Sequence, residues 1–180
     1  DLAVELVGTG EAVGRARRQA RDHDAAPHLV GAVGIARDGV GVDPALAVVG
    51  VEARLERVRV AAAAEAEALK NNWAVSIAIV DAGGHLLHFA RMDGAAPVSS
   101  HIAPAKANTA ALGQRETKGY EDVINGGRTS FLSAPTIKGM LEGGVPIMKD
   151  GFCLGAVGVS GVKSNEDAQV AKAGIAALGL

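Results

Sequence analysis

The sequence predicts an α+β domain built on an antiparallel sheet flanked by helices. Two observations carry this. Short apolar runs occur as pairs joined by tight turns, which requires antiparallel neighbours, and segments of helical period lie between and around those pairs instead of alternating with single strands. The predicted order is helix, hairpin, helices, hairpin, helix. With three Phe, one Trp and one Tyr in 180 residues, the core must be aliphatic and closely interdigitated.

The first helix is expected over about 45–71. Pro44 suits its first turn, Val51, Leu55, Val58, Ala62, Ala66 and Leu69 recur at helical spacing on one face, and Asn71 and Asn72 supply the stop. Glu52 and Glu56 lie four apart and could share a cation, but alternation with Arg54, Arg57 and Arg59 reads better as a solvated charged face. The first hairpin follows: apolar runs from Val75 to Val80 and from His85 to Ala90 are separated by Asp81, Ala82, Gly83 and Gly84. The second run closes on Arg91, Met92, Asp93 and Gly94. His85 and His88, three apart on the expected strand, would face opposite sides and could not share one ion.

Ser99 or Ser100 is expected to cap a second helix through AKANTAALG, with Pro104 near its first turn and its end near Gly113. A third is expected from Thr117 to the pair Gly126, Gly127, and a short amphipathic piece around Ile137 to Leu141. Gly143 and Gly144 then lead into VPIMKDGFCLGAVGVSG, a second hairpin turning at Asp150 and Gly151. Gly155, Gly158 and Gly161 in this hairpin suggest close approach of backbone or ligand. The last helix, Asn165 to Leu178, is expected to be capped by Ser164 or Asn165, with Asp167 favouring its N-terminal dipole.

Composition narrows function by exclusion. A net charge of -2 and a pI near 6.2 leave no basic stripe for nucleic acid. The single cysteine, Cys153, excludes an internal disulfide framework and a Cys-rich zinc site, and its neighbours Phe152 and Leu154 suit a packed structural thiol. No apolar run has the length of about 20 residues that spans a bilayer. The start, DLAVELVGTGEAVG, shows no signal-peptide pattern, as a processed secreted protein also would not.

Usage of basic residues divides the chain. All of them before position 70 are arginine, and lysine predominates from Lys70 onward. Residues 1–44 lack sustained periodicity and are expected to form an arm, followed by the domain at 45–180. Gly8, Gly10 and Gly14 in the arm imitate a dinucleotide fingerprint, but the third glycine is one residue late and no acidic residue falls about 20 residues further on. His23 and His28 read as solvated loop histidines.

Four motifs, DAGGHLLHFARMDGA, SSHIAPAKANTAA, EGGVPI and GAVGVSG followed by a short helix, stand in an order that resembles the GlcG/HbpS-type family of haem-binding and haem-degrading proteins. The same domain ends some PduO-type corrinoid adenosyltransferases. The resemblance covers about 45–180 and is strongest toward the HbpS branch. It implies a profilin-like or roadblock-like antiparallel sheet, a homo-oligomer (an octamer in HbpS), and haem held near subunit contacts. It further implies a secreted protein that works with a two-component sensor histidine kinase, with a cytoplasmic location as the alternative. On the same ground Thr109 of the AKANTA motif is expected near the haem iron, and Lys106 and Arg91 near the propionates.

Elementary chemistry is compatible with this. Haem needs an apolar slot, cationic groups for two propionates and an iron ligand. His101 is the imidazole best placed to serve beside Thr109. Each residue also has a plainer account: Lys106 as a solvated helix charge, Thr109 bonded back to its own helix, His101 as a turn residue, and Asp81, Asp93 and Asp150 as turn formers before glycine or small residues. Three functions follow. The first is haem sensing or scavenging, with slow peroxide-dependent haem breakdown. The second is a small-molecule or corrinoid accessory enzyme using Lys106 as base or anion clamp with Asp93 as its partner. The third is a structural oligomerisation module.

Overall fold

The computed structural model describes residues 44–180. The expected arm, with Gly8, Gly10, Gly14, His23 and His28, lies outside the described residues apart from Pro44. The elements are α1 (Pro44–Lys70), β1 (Ser76–Asp81), β2 (Leu86–Arg91), α2 (Ser99–Gly113), α3 (Lys118–Asn125), a 3-10 turn (Thr129–Ser133), β3 (Gly144–Lys149), β4 (Phe152–Ser160) and α4 (Ser164–Ala176). The strands form one sheet in the order β2-β1-β4-β3, and every neighbouring pair is antiparallel. The expected α+β class and both hairpins are therefore present. Asp150 and Gly151 both have positive φ, 50° and 82°, as a two-residue hairpin turn of this hand requires.

Strand alternation sends the two halves of the core to opposite faces of the sheet. On one face Ile77, Ile79, Val145, Ile147, Val157 and Val159 pack with Val60, Ala64 and Ala68 of α1 and Val170 and Ala171 of α4. Each Val or Ile buried there contributes about 1.5–3 kcal/mol. The other face is built from small side chains: Ala78, Val80 and Ala156 of the sheet meet Ala103, Ala107, Ala110 and Ala111 of α2. Gly158 completes that contact, because a Cβ on it would lie 2.2 Å from the Ala103 carbonyl oxygen and 2.4 Å from the Ala107 nitrogen.

The expected inner face of α1 is its outer one. Val60, Ala61, Ala64 and Ala68 are buried, whereas Leu55, Val58 and Leu69 are 58%, 49% and 61% exposed. Packing distance explains the reversal. Gly174 of α4 comes so near that an added Cβ would meet the Val60 carbonyl oxygen at 2.8 Å and the Ala64 Cβ at 3.1 Å, so the alanine face fits and the leucine face does not.

Helix entrances also differ from expectation. Neither Ser99 nor Ser100 caps α2; their hydroxyls donate to the carbonyls of Ala96 and Pro97, both at 2.6 Å. Pro104 sits within that helix, beyond its first turn. At α4 the N-cap is Lys163, whose backbone N–H donates to the Glu166 carboxylate at 3.2 Å. The piece expected around Ile137 to Leu141 forms no regular element, and a short 3-10 turn precedes it at Thr129–Ser133.

Candidate functional site

Helix α2 positions most of the residues singled out from sequence. Successive residues turn about 100° around an α-helix, so its alanine stripe faces the sheet while Lys106 and Thr109 lie on one flank and His101, Asn108 and Leu112 on the outer surface.

Lys106 is turned into the protein. Its ammonium is 2% exposed, donates to Asp167 Oδ2 at 2.7 Å and to the Val159 carbonyl at 3.0 Å, and thereby ties α2 to the end of β4 and the start of α4. The second oxygen of Asp167 accepts the Val162 N–H at 3.2 Å. Burial holds the Asp167 carboxyl above its ordinary range, against the downward pull of Lys106 and the Val162 N–H. Two expectations are corrected here. Lys106 is not a free cation awaiting a propionate, and its carboxylate partner is Asp167 and not the exposed Asp93. A lysine on this flank is carried inward because its amine finds a buried counter-charge.

Thr109 is fully buried, and its hydroxyl accepts the Gly139 N–H at 3.0 Å. The stretch from Ala134 to Gly143 thus lies over Thr109. Thr117 fastens the end of this stretch by donating to the Leu141 carbonyl at 2.6 Å and accepting the Gly144 N–H at 2.9 Å.

Arg91 and His101 are exposed. Arg91 ends β2, and its Nε and Nη2 donate to the Ala95 carbonyl at 3.1 and 2.6 Å, which leaves other guanidinium N–H groups for an anion. His101 stands in the first turn of α2. The two belong to one end of the fold: Ser76 of β1 pairs with Arg91, and its hydroxyl meets that of Ser99, two residues before His101, at 2.8 Å. The fold therefore groups Arg91 with His101 and separates both from Lys106 and Thr109. His85 is an exposed turn residue whose Nδ1 lies 3.2 Å from an Asp81 carboxylate oxygen, and His88 stands in β2 opposite Ile79.

A cleft of about 180 Å³ is lined by Glu121, Ile124, Asn125, Leu132, Lys138, Met140 and Leu141. This falls below the roughly 300 Å³ at which small-molecule sites begin and cannot enclose a tetrapyrrole. Among the described residues no three His, Cys, Asp or Glu side chains converge to hold a metal ion, and no helix is long and apolar enough to cross a membrane.

Sequence reasoning missed Asp167 and Gly139 as the partners of Lys106 and Thr109. Asp167 lies 61 positions from Lys106, so nothing local announces the pair.

A four-stranded antiparallel sheet with helices on both faces, carrying these four motifs, defines a class that comparison makes specific. The chain belongs to the HbpS-like family, described as haem degrading protein HbpS-like, whose model matches residues 56–176. Protein GlcG of Escherichia coli K12 is 60% identical over 99 residues, which are 55% of this chain and 73% of GlcG. A solved complex of the PduO C-terminal domain with haem superposes with a TM-score of 0.61 at 32% identity, covering 68% of this chain and 91% of that one. A double mutant of HbpS from Streptomyces reticuli gives 0.65 at 28% identity, covering 87% and 99%.

Proposed function

We propose that this chain binds haem. The similarity of its domain to the PduO C-terminal domain solved with haem carries the proposal, and membership of the HbpS-like family supports it. Bound haem supplies a redox-active iron, and the protein supplies position and charge. Arg91 is the propionate partner, since its guanidinium is exposed and offers free N–H groups. His101 and Thr109 are the two iron-ligand candidates. His101 is accessible as the fold stands, whereas Thr109 becomes so only if the stretch carrying Gly139 leaves it. Lys106 acts through the architecture of α2 and not through direct contact, because its charge is already balanced.

A homo-oligomer forms part of the same proposal. The exposed Leu55, Val58 and Leu69 give α1 an apolar outer face suited to a second copy. Haem breakdown is named in the family description and is read in the same experiment. The sensor-kinase role and secretion rest on the resemblance alone, and no feature of the described residues adds to them.

Hemin titration of the purified chain, followed by absorbance, tests the proposal. The expected result is a saturable Soret shift absent from a nonspecific control protein. Peroxide added to the complex then reads breakdown as loss of that band beyond the loss from free hemin. Absence of a saturable shift would return the chain to the small-molecule or purely structural functions.

A further inference from the structure

We infer that the haem site is the open groove between β2 and the outer surface of α2, with the propionates toward Arg91 and His101 and the apolar edge toward Leu86 and Leu112. The inference deepens the haem proposal and rests on it.

Directly opposed residues of an antiparallel pair share a face of the sheet. Arg91 opposes Ser76, Phe89 opposes Ala78, and Leu86 opposes Val80. Ala78 and Val80 lie under α2, so Arg91, Phe89 and Leu86 project on the same side of the sheet as that helix. The helix sits chiefly over β1, β4 and β3, which leaves Phe89 38% and Leu86 54% exposed beside it. The facing wall is the outer surface of α2. Asn108 donates to the Gly84 carbonyl at 3.1 Å, and Leu112, 43% exposed, packs toward the same glycine, so this wall runs from His101 to the tip of the first hairpin.

The walls match in length. Arg91 to Leu86 spans about 17 Å of strand, and His101 to Leu112 about 16 Å of helix. Their ends differ in chemistry: one holds a guanidinium and an imidazole, the other two leucines. A flat ligand with anionic groups at one edge and an apolar opposite edge complements this polarity, and haem is such a ligand. The opposite flank of α2 offers neither, since Lys106 is neutralised by Asp167 and Thr109 is covered. Sequence spacing alone did not separate the two flanks.

Titration of hemin into wild type, Arg91→Glu, His101→Ala, Leu112→Glu and Thr109→Val tests the site, with circular dichroism confirming that each variant is folded. All but Thr109 are exposed, so their substitutions leave the core intact. Arg91→Glu is expected to weaken binding about tenfold or more through loss of a charge-assisted contact. His101→Ala should shift the position of the Soret band in the complex, and Leu112→Glu should weaken binding without that shift. Thr109→Val reads the competing iron-ligand candidate, since it removes the hydroxyl that accepts the Gly139 N–H. Wild-type binding that survives the three surface changes, or that is lost only with Thr109→Val, would overturn the groove while leaving haem binding standing. Failure of wild type to bind would remove both.

Discussion

At the scale of the residue, the Lys106–Asp167 pair shows how an interior charge is retained: each partner is 2% exposed, and between them they hold a backbone carbonyl and a backbone N–H. Removing one partner of such a pair leaves an uncompensated charge. Lys106→Met is expected to destabilise the fold by about 3–5 kcal/mol at neutral pH, measured by urea unfolding. The pH dependence has a definite sign. Burial raises the Asp167 carboxyl above its ordinary 3.8, and Lys106 opposes that rise, so losing the lysine raises it further. A carboxyl that holds its proton more tightly folded than unfolded costs stability as pH climbs through its folded value. The deficit of Lys106→Met should therefore shrink on acidification, and a deficit that grows instead would show that Asp167 is not the group left behind. Lys106 stood out in the sequence as a residue of the AKANTA motif, but its partner did not, because a contact spanning 61 positions leaves no periodic trace.

At the scale of the element, two helices were legible as helices but not in orientation. α1 was expected at about 45–71 and runs over Pro44–Lys70, yet the face that meets the sheet is its alanine face. Helical period announces an amphipathic stripe; which stripe turns inward depends on how near the opposing element comes. α2 makes the same point. Its alanines permit close approach to β4, where Gly158 lies against helix backbone. Gly158→Ala would press a methyl group against the Ala103 carbonyl and the Ala107 nitrogen, neither of which can rotate away, with an expected cost of about 1–3 kcal/mol in urea unfolding. An unchanged midpoint would mean that α2 can lift from the sheet. The caps at Ser99 and Ser100 were misplaced for a related reason: a hydroxyl can satisfy a nearby carbonyl as readily as a helix N–H, and only the path of the preceding turn decides between them.

At the scale of the whole molecule, the outer stripe of α1 is the feature that the fold of Leu55–Leu180 leaves unused. Light scattering is expected to show an assembly larger than the monomer. Leu55→Glu combined with Leu69→Glu should shift it toward smaller species with little change in thermal midpoint, since both side chains lie outside the core. An unaltered assembly would place the contacts elsewhere on the chain.

By itself the sequence determined the α+β class, the two hairpins and the order of the elements, because turn glycines and apolar alternation act over a few residues. It also determined the family, because four motifs in sequence order identify it before any contact is known. Only the tertiary structure decided that Lys106 and Thr109 turn inward while Arg91 and His101 remain together at the surface. Those fates depend on Asp167 and Gly139, partners brought beside α2 by chain closure over 61 and 30 positions.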